Sequence, residues 1–172
     1  TSALETSRIH SKRGDEQVAR EYFENLINDA TVDDIREEAL VRHGLSAVSL
    51  RDISEGKKIL KGASAFRENS PWNALAEVGA LFVAYAKKEY SRVVSIYSSG
   101  TIINSAGEYR PKVLLMVADA FRAEGDKAAA SRLYTLVESR YPASKSGVEA
   151  GYRRLTLLYQ SNDGKLPTEV EK

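Results

Sequence analysis

The sequence predicts an all-α fold, a solenoid of antiparallel helix pairs with about nine helices. Three observations carry this. Asp15, Asp52, Glu89 and Asp126 recur at intervals of 37 residues. Four residues past each acid stands a smaller residue (Ala19, Gly56, Val93, Ala130), and eight past it a larger one (Phe23, Leu60, Tyr97, Tyr134). Around these markers the apolar residues return every three or four positions, the spacing of one helix face. A unit of this size cannot bury its stripe alone, so stacked neighbours must cover it.

The bulk composition agrees with a folded chain and excludes several functions. Of 172 residues, 42% are hydrophobic, enough for a packed core. The 25 basic and 24 acidic residues leave a net charge of +1, so no global field draws in nucleic acid or an anionic membrane. With no cysteine there is no disulfide, thiolate metal site or cysteine nucleophile. The most apolar stretch, 74–86, is too short for a span of roughly 20 residues, so no direct membrane insertion is expected from this segment. The chain opens on Thr1 with no basic-then-apolar leader, which points to a processed or excised chain.

The array is expected over 1–161. Its first pair, 1–28, has a short segment before Arg13, the turn Gly14-Asp15, and a second helix bearing Val18, Ala19, Tyr22, Phe23 and Leu26. In the pair 32–66, the spacing predicts helices over 32–43 and 49–66, with Gly44 near the turn. Pro71-Trp72 opens the pair 72–99, proline being favoured in a first helical turn, and Trp72 is read as a wedge between units. Leu81, Phe82 and Tyr85 mark its first helix and Val93, Val94 and Tyr97 its second, while Lys88 replaces the turn glycine. The clearest pair is 110–140. Leu114, Val117, Ala118 and Phe121 form one stripe, Gly125-Asp126 makes the break and the cap, and Ala130, Tyr134 and Val137 form the facing stripe up to Tyr141-Pro142. A final helix, 145–161, carries Tyr152, Leu155 and Tyr159 on an expected buried stripe, as a terminal cap or the beginning of another repeat. Residues 162–172 read as a polar tail or linker.

Little in the chain suggests catalysis. Neither a Gly-Lys-Ser/Thr phosphate loop nor a Gly-x-Ser-x-Gly elbow occurs. His10 and His43 fit no metal-ligand motif, and both are expected near helix C-termini, where imidazole is favourable beside exposed carbonyls. Asp33, Asp34, Glu37 and Glu38 bunch at a helix start and read as a solvated face that suits the positive end of the helix dipole. Of the nine tyrosines, most fall on packing stripes, leaving Tyr90 and Tyr109 as the better exposed candidates. No catalytic residue, cofactor or metal is expected.

Ala118, Phe121, Gly125, Ala130, Tyr134 and Pro142 resemble the tetratricopeptide repeat, whose unit places small residues where two helices cross and a ring at each helix end. The tryptophan that usually opens that unit is replaced by Leu114. The resemblance implies a right-handed superhelix whose first helices line a concave groove for a peptide or partner protein. Transferred by position, the groove would present Lys112, Leu115, Asp119 and Arg122, with Arg153, Leu157 and Gln160 on the final helix. The arginines and lysine would clamp carboxylates or carbonyls, and the leucines would touch apolar side chains. Tyr141, Pro142, Ser144, Ala150, Tyr152, Arg153 and Leu155 further resemble repeats of bacterial envelope proteins, namely the periplasmic protein associated with the Tol-Pal system and outer-membrane assembly lipoproteins. That resemblance implies a non-catalytic protein-binding scaffold, periplasmic or associated with the outer membrane, within a larger protein. The alternatives are a cytoplasmic location, a substrate-recruiting helical domain of an enzyme whose catalytic domain lies outside this chain, and a module for self-association.

Overall fold

The computed structural model describes residues 2–63 and 70–161, and the described residues hold ten α-helices and one 3₁₀ turn, with no strand. The helices are α1 (Ala3–Arg13), α2 (Glu16–Asp29), α3 (Asp33–Ser49), α4 (Ile53–Ala63), α5 (Asn73–Ala86), α6 (Tyr90–Ser98), α7 (Ile102–Ser105), α8 (Arg110–Ala123), α9 (Lys127–Arg140) and α10 (Lys145–Ser161). They fall into two units, Thr1–Glu108 and Tyr109–Lys172. In the first, α1 packs on α2, α3 on α2 and α4, and α5 on α3, α4, α6 and α7; in the second, α8 and α9 pair and α10 packs on both. Helix-pair packing of the expected kind therefore builds each unit. The expected continuation of the fourth helix to Phe66 and the polar tail 162–172 lie outside the described residues.

The 37-residue interval has a physical cause: it marks one turn made four times. The residue before each acid takes a left-handed conformation, with φ of 83° at Gly14, 72° at Arg51, 61° at Lys88 and 91° at Gly125. The acid's own N–H then donates to the carbonyl five residues back, Asp15 to His10 and Glu89 to Ala84 at 2.9 Å, Asp52 to Ala47 at 3.0 Å and Asp126 to Phe121 at 2.9 Å. These bonds satisfy carbonyls that the ending helix would leave bare. The acid's carbonyl in turn accepts from the small residue four places on, at Ala19, Gly56, Val93 and Ala130, starting the second helix. Asp126 also caps with its side chain, accepting from the Ala129 N–H at 2.8 Å. Asp15 and Glu89 do not; their carboxylates face His10 and Arg92 instead.

At Lys88 the left-handed backbone is held without glycine, a conformation that costs an L-residue about 1–2 kcal/mol. Lys88→Gly should therefore raise stability by about 0.5–1 kcal/mol after glycine's greater unfolded-state entropy is subtracted. The urea midpoint reads this, and a lower midpoint would contradict the turn assignment.

The second pair departs from the sequence expectation. Gly44 is no turn residue: α3 runs through it to Ser49, and the turn lies at Leu50–Asp52. The glycine is there because two helices cross closely. A Cβ on Gly44 would meet Leu60 Cγ at 2.7 Å, and one on Gly56 would meet Val48 Cγ2 at 2.5 Å and the Gly44 carbonyl at 2.9 Å. Isolated glycine between apolar residues therefore reads ambiguously, as a break or as a crossing. A short α7 and the 3₁₀ turn Gly107–Tyr109 also fill the connection after α6, where no element was expected.

Extending α3 carries charged residues inside. Glu37 and Glu38, expected on a solvated face, are buried, as is Arg42 one turn on. Glu38 accepts from Arg8 Nε at 2.6 Å and Nη2 at 2.5 Å, and from Arg42 Nε at 2.7 Å. Arg42 also pairs with Glu108 and lies 5.8 Å over the Trp72 ring. Ser70 Oγ donates to Glu37 at 2.6 Å and accepts from the Trp72 N–H at 3.2 Å, fixing the entry to α5. The Arg8 guanidinium, bonded to the Glu38 carboxylate, has its pKa raised further. Asp33 and Asp34 stay exposed in the first turn of α3, as expected.

His43 also corrects the sequence reading, since it lies buried in mid-α3 rather than near a helix end. Arg20 Nε donates to its Nε2 at 3.3 Å and Arg20 Nη2 pairs with Asp52 at 3.2 Å. Burial first, then the Arg20 charge, lowers its pKa, against the opposing pull of Glu24, Glu55 and Asp52. The folded state thus prefers neutral imidazole. Above about pH 6.5 the residue costs nothing; below it the unfolded chain takes up the proton first, and stability falls until the folded-state pKa is passed. His43→Gln should remove this part of the acid slope, which urea titrations at pH 7 and pH 5.5 would detect; an unchanged slope would refute the assignment. His10, by contrast, sits in the last turn of α1 as expected, stacked on Tyr22 with ring centroids 5.9 Å apart.

Candidate functional site

The second unit contains the best-matched repeat and all seven residues expected to face a partner. Ala118 on α8 and Ala130 on α9 are fully buried, the small pair that lets the helices approach, and Tyr134 and Val137 are buried beside them. Proline 111 stands in the first turn of α8, where its missing N–H costs nothing. Tyr109, expected to be exposed, is buried just before it, and Tyr90 is half-buried with its ring edge-on to Tyr85, 6.2 Å away.

The structure separates the seven residues into two groups. Leu115, Asp119 and Leu157 are buried and so do not form an open surface. Asp119 faces inward because it ties the three helices together: Tyr134 Oη on α9 donates to its Oδ1 at 2.7 Å, and Arg153 on α10 pairs with its Oδ2. Arg153 also pairs with Glu149 one turn back. Arg122 and Gln160 are exposed, and Lys112 is half-buried at the start of α8. The residue-by-residue transfer failed at Asp119 and Leu115 because exposure was inferred from one helix stripe, whereas α8 buries Val113, Leu114, Leu115, Val117, Ala118, Asp119 and Ala120, more than one face.

On α10 the stripe expected to be buried lies outward, and Leu157, expected outward, lies inward. Ala150 and Leu157 face in, and Arg154 Nε bonds Glu138 of α9 at 2.7 Å. Val148, Tyr152, Leu155 and Tyr159 face out, 68%, 73%, 55% and 48% exposed. The missed signal was the run of small residues. A Cβ on Gly147 would strike the Tyr141 carbonyl, and one on Gly151 would meet Glu138 Oε1 at 2.9 Å, so this face must be the one pressed against α9. Close approach, rather than side-chain size, chose the packed face.

These helix hairpins define a helical-repeat protein, with short hairpins stacked through small-residue crossings. Residues 112–144, from the first turn of α8 through α9 and the Tyr141-Pro142 exit, match the family described as Tetratricopeptide repeat. The expected unit thus stands where its residues placed it. No curated protein and no solved structure matches the chain. Among the described residues no group of three or more His, Cys, Asp or Glu is placed to hold a metal ion, and no helix is long and apolar enough to cross a membrane.

Proposed function

We propose that this chain is a non-catalytic scaffold that captures a protein or peptide partner on the second unit, within a larger protein of a bacterial envelope. The observation that carries the reading is the tetratricopeptide repeat at 112–144, a repeat whose general role is protein–protein interaction. Arg122 and Gln160 are the exposed members of the expected contact set, and Lys112 and Arg153 are half-buried. An exposed arginine is the kind of group that clamps a partner carboxylate bidentately. The envelope context rests on the Tyr141-Pro142 exit and the Tyr152-Arg153 helix, and cell fractionation of the full-length protein checks it, a cytoplasmic result removing that part of the reading.

The test of capture needs variants that leave the packing intact. Arg153→Glu is unsuitable because it would set a like charge against buried Asp119. Arg122→Glu with Gln160→Glu leaves the buried residues untouched. The expected result is unchanged helicity with partner affinity weakened about tenfold or more, measured by calorimetry on a partner retained from source-cell extract. Unchanged affinity would remove these residues from the contact surface.

A further inference from the structure

The outward face of α10 carries larger apolar side chains than the face it packs with. Its inward positions are Gly147, Ala150, Gly151 and Leu157, all buried, whereas Val148, Tyr152, Leu155 and Tyr159 stand exposed. The charged residues nearest to this stripe turn away from it: Arg153 pairs with Asp119 and Glu149, and Arg154 with Glu138. Equivalent positions on earlier helices are covered. One, two and three intervals of 37 residues before Tyr152 stand Leu115, Val78 and Val41, and before Leu155 stand Ala118, Leu81 and Gly44, every one buried. At Gly44 the cover is a helix, since Leu60 and Ile59 of α4 lie against it. The stripe therefore has the form of a face that receives a helix.

We propose that this helix is α10 of a second copy, so that two chains pair through Val148, Tyr152, Leu155 and Tyr159 in an antiparallel two-fold dimer. The four residues are separated by four, three and four positions, the seam spacing of two paired helices, and that order reads the same from either end. A two-fold axis midway along the stripe therefore sets Val148 against Tyr159 of the second copy and Tyr152 against Leu155 of the second copy. Each ring meets an aliphatic side chain, and each contact is made twice. No charged side chain lies within the seam, so pairing strips water from none. The four side chains together expose about 450 Å² per copy, so the pair hides roughly 900 Å² before the flanking Thr156 and Leu158 are counted, close to the about 1,000 Å² of a weak but specific interface. Association is accordingly concentration-dependent.

Sedimentation equilibrium of the full chain from about 5 to about 500 µM reads the association. The expected result is a mass that rises from 19.0 kDa towards twice that value. Leu155→Glu, which sets two carboxylates beside the axis, should raise the dimer dissociation constant at least about tenfold, with helicity and the α8 and α9 NMR shifts unchanged. Tyr152→Ser reads the same seam should that variant lose helicity. A chain that stays at 19.0 kDa throughout would overturn the proposal and leave the face to a helix of a different protein. A Leu155→Glu variant that dimerises as before would overturn it too, placing the contact elsewhere. Orientation is read separately. Because the chain has no cysteine, Lys145→Cys, outside the stripe, accepts a single nitroxide label. Mixed with unlabelled, isotope-enriched chain, it should broaden the Tyr159 amide most, and that of Val148, about 16 Å further along the helix, at least about threefold less. The reverse gradient would rule out antiparallel pairing. Partner capture is read at Arg122 and self-association at Leu155, so the two readings fail separately.

Discussion

Glu38→Ala is expected to destabilise the first unit by about 3 kcal/mol, or about 6–12 °C in thermal midpoint for a chain of this size. Glu38 is 2% exposed and accepts three guanidinium hydrogen bonds from α1 and from its own helix. Removing it leaves Arg42, itself buried, without one of its carboxylate partners. A buried pair broken on one side commonly costs about 3–5 kcal/mol, and the lower end applies because Glu108 still faces Arg42 and half-exposed Arg8 can turn to water. The control is Glu38→Leu with Arg42→Met. Replacing both charges by apolar groups of similar volume should recover most of the loss, whereas a double variant as unstable as the single one would show that the network's shape, rather than its charge, is what matters. Thermal unfolding followed by circular dichroism distinguishes these results.

Phe23→Ala should cost about 3–5 kcal/mol, the range for emptying a buried ring site. Phe23 is fully buried with Ala19 and Ala39, and Leu4, Leu26 and Ile27 pack round them. It stands eight residues past the acid of the first turn, so it is the place where that pair's two helices and α3 are filled against one another. Small neighbours such as Ala19 and Ala39 cannot collapse into the void. Val18→Ala on the same helix, at a partly exposed position, should change stability by less than about 1 kcal/mol. Equal losses at the two sites would mean that the eight-residue spacing does not mark the core.

How much of this was legible depended on which residues carried the signal. Three of the four turns were readable, because a glycine at the left-handed place or the recurring acid leaves a local signature, clearest at Gly14-Asp15 and Gly125-Asp126, whereas the turn at Arg51-Asp52 falls inside the helix expected over 49–66. They were readable even at Lys88, where glycine is absent, through Glu89 and the interval. Gly44 misled because a glycine needed at a helix crossing looks the same in one dimension as a glycine that ends a helix. Glu37, Glu38 and His43 misled for a related reason: their partners, Ser70, Arg8 and Arg20, lie 33, 30 and 23 residues away in the chain, so their burial is a tertiary property. The candidate contact surface was legible only in part. Arg122 and Gln160 were placed outward as read, while Asp119 turned inward to meet Tyr134 and Arg153 from two other helices. On α10, Gly147 lies against the Tyr141-Pro142 backbone that follows α9 and Gly151 against the Glu138 side chain, contacts that the order of residues along α10 does not show.

The central claim is that a 37-residue unit is closed four times by the same turn, and backbone NMR tests it most directly. The account predicts positive φ from chemical shifts and couplings at Gly14, Arg51, Lys88 and Gly125, with slowly exchanging amides at Asp15, Asp52, Glu89 and Asp126, each bonded to the carbonyl five residues back. Right-handed helical values at Arg51 and Lys88, or fast exchange at Asp52 and Glu89, would contradict it.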